Sequence, residues 1–130
     1  MKRIILFCFV LILFVCGFSA ETEKEIIKNI NHSLEILMFA SNAPNTSSNP
    51  CDYIRANQEA FDYIVSQGDT TLNYFLEEFK HGKESGLREF IMALACIQIL
   101  GDKNPVKQWG NGREWYNLYI KSTNQTNRSG

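Results

Sequence analysis

The sequence predicts an all-α chain, a compact helical bundle of about five helices preceded by a signal peptide. Apolar residues recur at helical spacing through most of the chain beyond residue 20. No stretch sustains the apolar–polar alternation of a half-buried strand. Clusters of Gly, Pro, Asn and Ser fall between the periodic segments, where helices should stop and turn.

The first segment reads as a leader. Met1-Lys2-Arg3 supplies a positive start, Ile4 to Val15 an apolar run, and Cys16-Gly17-Phe18-Ser19-Ala20 a short end before the first acid, Glu21. That order is the secretory signature. The run is shorter than the roughly 20 apolar residues a membrane-spanning helix needs. Cleavage is expected after Ser19, which places small Gly17 at the third position before the cut, or after Ala20. Two rival fates remain open. Leu13-Phe14-Val15-Cys16 resembles a bacterial lipoprotein box, with Cys16 as the lipidated residue, although Val15 stands where Gly, Ala or Ser is expected. The other is an uncleaved anchor. The chain is therefore expected to be secreted or extracytoplasmic, with lipid anchoring at the cell surface through Cys16 as the alternative.

Residues 21–122 are expected to form one helical domain and 123–130 a disordered polar tail. Thr22-Glu23-Lys24-Glu25 has the pattern of a capping box, and Ile26, Ile27, Ile30, Leu34, Leu37 and Met38 follow at helical spacing, predicting a helix over 23–39. Ser41 to Pro50 reads as a loop. A second helix is expected over 52–66, with Tyr53, Ile54, Phe61, Ile64 and Val65 on its apolar face and Gly68 as its stop. Asp69 is the expected N-cap of a third helix carrying Leu72, Phe75, Leu76 and Phe79, which ends at His81-Gly82-Lys83. The most apolar helix runs from Ser85 or Gly86 to Leu100 and is expected to be buried on several sides. Lys103 to Gly112 reads as a loop, and Arg113 to Ile120 as a last short helix presenting Trp115, Leu118 and Tyr119.

Composition excludes some function classes. All 14 acidic residues lie beyond the leader, whereas Lys2 and Arg3 lie within it, so the domain carries net negative charge. No Lys/Arg stripe suits a phosphate backbone, and nucleic acid is not an expected partner. His32 and His81 have no companion at metal-ligand spacing, and no Gly-rich phosphate loop or nucleophile elbow occurs. No cofactor, metal or catalytic set is expected. Glu77 and Glu78, being adjacent, point apart on a helix and, with Glu89, read as a solvated face.

Cys51 and Cys96 are the two cysteines that lie beyond the leader. A disulfide between them would contribute on the order of 4 kcal/mol in the chain-entropy account. The preferred reading makes Cys96 a small buried residue instead. Four Asn-x-Ser/Thr triplets begin at Asn31, Asn45, Asn124 and Asn127, and they matter only in a glycosylating source. Trp109, Arg113, Trp115, Tyr116 and Tyr119 crowd the C-terminal part. Such residues are enriched at binding hot spots, and they also cap small helical cores.

Leu72-Asn73-Tyr74-Phe75-Leu76-Glu77-Glu78-Phe79-Lys80, a Gly-bearing turn, then Leu87-Arg88-Glu89-Phe90-Ile91-Met92-Ala93-Leu94-Ala95 through Gly101-Asp102 resembles one HEAT-like helical hairpin spanning residues 69–102. The resemblance implies two packed antiparallel helices, with Ala93 and Ala95 allowing close approach. Thr71 stands where the pattern has Pro, and no second copy is evident at a fixed period. The stretch from Tyr53-Ile54-Arg55-Ala56-Asn57 to Trp115 also resembles small exported domains of low-GC Gram-positive bacteria, a resemblance that implies no activity. The functional expectation is an exported, non-catalytic protein-binding module. The alternatives are a small exported hydrolase and an inhibitor or immunity-type protein acting on an envelope enzyme.

Overall fold

In the computed structural model, residues 21–39 and 47–128 are described. The leader at 1–20, with Cys16, lies outside them, as do residues 40–46, with Asn45, and 129–130. Six α-helices and one 3-10 turn make up the described part, with no strand among them. They are α1 (Glu23–Met38), α2 (Pro50–Ala56), α3 (Gln58–Ser66), α4 (Asp69–His81), α5 (Leu87–Leu100), the turn Gly101–Lys103, and α6 (Gly112–Arg128). None is long and apolar enough to cross a membrane.

The apolar periodicity places the core. Ile30, Leu34 and Leu37 of α1 are buried together with Ile64 of α3, Phe75 and Phe79 of α4, Ile91, Ala93 and Cys96 of α5, and Trp115 of α6. α5 is the central element, packed against α2, α3, α4 and α6, with a further contact to α1. That position explains its sequence, since a helix touched on most sides must be apolar nearly all round. Ala93 and Ala95 are fully buried, and their small side chains let neighbouring helices approach closely.

Three local features differ from the sequence expectation. Thr22 caps α1 through its backbone: its carbonyl accepts the Glu25 and Ile26 N–H groups at 2.8 and 3.0 Å, and its hydroxyl makes no capping bond, so the expected box does not form. The expected second helix is two helices, raising the count from five to six. Asn57 leaves the helical region (φ −142°, ψ 60°), ends α2 with its N–H on Ile54 O, and starts α3 with its carbonyl on Ala60. Asn is suited to such a joint because its short amide competes with the helix backbone. The last helix continues beyond Ile120 to Arg128, so residues 123–128 of the expected polar tail are helical. Thr123 and Thr126 donate their hydroxyls back to Tyr119 O and Ser122 O at 3.1 Å, which satisfies polar groups along an otherwise exposed segment.

Two corners share one backbone conformation. Gly68, between α3 and α4, has φ 54° and ψ −124°; Gly101, after α5, has φ 54° and ψ −125°. An Asp follows each, and the same interval separates Arg55 from Arg88, Ala60 from Ala93 and Ile64 from Ile97. The α2–α3 helix pair and α5 thus end on glycines of the same conformation. Thr71, in the place of the missing Pro, is fully buried and donates its hydroxyl to Ile64 O at 2.6 Å, tying α4 to the end of α3.

Positive φ with this ψ is open to glycine and closed to L side chains. A Cβ at either corner would meet nothing within 4 Å, so backbone strain is the whole cost of substitution. Gly68→Ala and Gly101→Ala are each expected to lose about 1–3 kcal/mol. Urea unfolding at both positions checks this, and an unchanged midpoint would show that the corners relax freely.

Candidate functional site

The five aromatic and cationic residues singled out from the sequence do not form one exposed patch. Trp115 has 0% of its surface exposed. Its indole N–H donates to Asn104 Oδ1 at 3.4 Å, and its ring lies 5.3 Å from Tyr119 and 6.0 Å from Phe79. Tyr116 stacks on Phe79 at 5.2 Å with only 11° between the planes. These rings close the core between α4 and α6, with Tyr116 and Tyr119 half-buried at its edge.

Arg113 belongs to the same closure. Its guanidinium sits over the Phe79 ring at 5.3 Å and the Tyr116 ring at 5.7 Å. It donates to Phe79 O and, through Nε and an Nη, to Glu84 O at 3.3 Å. Phe79 O is among the last carbonyls of α4, so a cation here satisfies orphan acceptors and the helix dipole together. Arg113 is thus a clip holding the α4 end to α6.

Trp109 lies elsewhere. Its ring packs on Phe90 at 4.7 Å, on the first turns of α5. Phe90, Tyr53 and Leu87 line a cleft of about 350 Å³ with Pro50, Ser47, Ser48, Ser85, Gly86 and Asn111. None of those residues is charged. The cleft forms where three chain segments meet: the entry to α2, the start of α5 and the loop before α6. Asn49 accepts the Cys51 N–H at 3.1 Å and starts α2. Glu89 accepts the Gly86 N–H at 2.8 Å and fixes the start of α5. Asn111 accepts the Ser85 hydroxyl at 3.0 Å and the Glu114 N–H at 2.9 Å, joining that start to α6. Sequence reasoning missed Tyr53 and Phe90 because both sit on helical faces that read as core, and only the packing leaves them half-exposed.

Two other concavities hold titratable or thiol side chains. A notch of about 250 Å³ between α4, α5 and α6 holds Glu78, Glu84, Glu89, His81, Arg88 and Arg113. Glu78, Glu89, Arg88 and Arg113 among them already serve the fold. Glu78 pairs with Arg88 at 3.3 Å, Arg88 also donates to Asn31 Oδ1 at 3.3 Å, and Asn31 exchanges hydrogen bonds with the Tyr74 hydroxyl. This network pins α1 to α4 and α5, and it also occupies the amide of the Asn31 triplet. Glu77 is exposed beside Lys80 and His81, as expected of a solvated face. Among the described residues no group of three His, Cys, Asp or Glu side chains could hold a metal ion. The second concavity is a groove of about 360 Å³ with Cys51, Ile54, Arg55, Gln58 and Phe61 on one side and Leu94, Ile97 and Gln98 on the other.

Cys51 and Cys96 are both free. α5 turns Leu94 and Ile97 toward the Cys51 groove while Cys96 faces the core, fully buried. Burial pushes the Cys96 thiol far above the ordinary cysteine range, against a smaller opposite effect of its own backbone hydrogen bond. The thiolate is the reactive form, so alkylation of the native protein is expected to label Cys51 and spare Cys96 until denaturant is added. Peptide mass spectrometry reads this directly, and equal labelling would show that α5 opens readily.

No known family model, curated protein or solved structure matches this chain. The geometry of its own residues therefore carries the functional reading.

Proposed function

We propose that the chain is an exported helical module that binds another protein without catalysis, and that Trp109, Phe90 and Tyr53 form the contact surface. The observation that carries this reading is the uncharged cleft at the start of α5, lined by half-exposed Tyr53 and Phe90 on a framework fixed by helix caps, with Trp109 packed on Phe90. Large rigid aromatics bury much area at small entropic cost, which is why they dominate interface energetics. A preorganised cleft adds to this by lowering the ordering cost on binding.

Export rests on the leader signature at residues 1–20, with release after Ser19 or Ala20, or retention through Cys16. The repeated glycine corners support a HEAT-like relationship for the α4–α5 hairpin. A hydrolase reading is less well supported, since the notch carboxylates Glu78 and Glu89 are committed to Arg88 and to the Gly86 N–H.

The test is site-specific photocrosslinking in an exporting host. A photoreactive phenylalanine analogue at Trp109 or Tyr53 is expected to trap one discrete protein partner, and the same analogue at exposed Lys121 is not. Trp109→Ala should lessen capture at Tyr53 while lowering the melting temperature less than truncation of fully buried Trp115 does. Identical adducts at all three positions, or none at Trp109 and Tyr53, would end this reading.

A further inference from the structure

Asn111 is the one asparagine in the sequence followed by glycine. Glycine lacks the Cβ that would hinder its backbone nitrogen, so this is the bond at which an asparagine side chain is most open to attack by the next residue. In that reaction the Gly112 nitrogen bonds to Asn111 Cγ and loses its proton, and the side-chain nitrogen leaves as ammonia. A five-membered cyclic imide results. Water then opens one carbonyl to give aspartate, or the other to give isoaspartate, in which the main chain runs through Cγ.

The folded chain holds this bond closed. Asn111 Oδ1 is pinned between the Ser85 hydroxyl and the Glu114 N–H, at 3.0 and 2.9 Å, while Asn111 O accepts the Trp115 N–H at 3.1 Å. Gly112 is buried so tightly that a Cβ there would stand 2.2 Å from Glu89 O and 2.4 Å from Glu89 C. Bringing the Gly112 nitrogen over Cγ requires exposed Asn111 to give up the Ser85, Glu114 and Trp115 hydrogen bonds that hold the start of α6.

We propose that Asn111 is a conformation-gated deamidation site, closed while the α5–α6 corner is packed, open when the corner opens, and irreversible once isoaspartate forms. The two products have opposite consequences. Aspartate keeps the main chain and can cap α6 as asparagine does, with its charge favourable at a helix N-terminus. In isoaspartate the former side-chain carbonyl joins the main chain and the former main-chain carbonyl becomes a free carboxylate. Both acceptors that start α6 are displaced, and the main chain grows by one carbon immediately before tightly packed Gly112. An opened corner that reacts in this way cannot close again, so the bond records past exposure of the α6 docking site.

The experiment incubates the purified chain at mildly alkaline pH, folded and in guanidinium chloride, and follows residue 111 by peptide mass spectrometry with an isoaspartate-specific methyl-transfer assay. The folded chain is expected to react at least about tenfold more slowly than the denatured one, because reaction is confined to opened molecules. Ser85→Ala, which removes one pin, should fall between them, and Asn111→Asp should fold and melt like the parent. The isolated isoaspartate form should show solvent-exposed tryptophan emission and a lowered melting temperature. Equal rates in folded and denatured chains, or a Ser85→Ala rate no faster than the parent, would overturn the gating. An isoaspartate form with native emission and melting temperature would overturn the irreversibility.

Discussion

Trp115→Ala is expected to remove a large share of the stability of the domain. The side chain is the largest of those fully buried, and it is the point where α6, α4 and the loop after α5 converge. Truncating a core tryptophan costs about 3–5 kcal/mol through lost burial and the cavity left behind. A domain of this size has only about 5–15 kcal/mol in total. The variant also removes the indole N–H from the Oδ1 of buried Asn104, which keeps the Val106 N–H at 3.3 Å while its amide holds Val106 O at 2.8 Å. Trp115→Phe should keep part of the ring packing and lose the hydrogen bond, giving a smaller loss. Urea denaturation of the two variants reads the difference. A Trp115→Ala midpoint close to the parent would mean that α6 is not anchored through this ring.

Gly112→Ala is the second large effect, and it comes from one methyl group. The added Cβ would lie 2.2, 2.4 and 2.9 Å from Glu89 O, Glu89 C and Phe90 N. All three are main-chain atoms in the first turn of α5, so no side-chain rotation relieves the clash. α6 must back away, and Trp115, one turn along, must move with it. The expected loss is about 3 kcal/mol, the upper end of overpacking costs. Gly110→Ala is the control: its Cβ would meet only Glu114 Oε2 at 3.1 Å, the free end of a flexible side chain. A thermal melt should show a large drop for Gly112→Ala and a small one for Gly110→Ala. Equal drops would mean that close helix approach is not what Gly112 provides.

Much of the architecture was legible in the residues because helical periodicity is a local property. The faces of α1, α4 and α5 follow from the spacing of Ile30, Leu34 and Leu37, of Phe75 and Phe79, and of Ile91 and Ala95, all of which are buried. The break at Asn57 was not legible. Tyr53, Ile54, Phe61 and Ile64 keep one apolar face across it, so periodicity runs through the joint. The end of α6 was missed for the opposite reason: Asn, Gln, Thr and Ser are weak helix signals, and the back-bonding of Thr123 and Thr126 depends on the helix already being there.

The candidate site divides in the same way. Trp115 and Trp109 look alike in sequence, six positions apart and flanked by similar residues. One is sealed in the core and the other lies on the outside of α5 against Phe90. Arg113, which composition places among hot-spot residues, spends its charge on Phe79 O and Glu84 O and its flat faces on two rings. Long-range partners such as these carry no local signature.

The sequence by itself determined an all-α domain, the helical faces that build its core, and the apolar character of α5, because each follows from the spacing of residues within a few turns of one another. Only the tertiary structure decided which aromatic residues remain at the surface, which carboxylates are free, and why Gly112 has no room for a side chain. Those properties belong to distances between segments far apart in the chain, and a linear pattern of residue types does not specify such distances.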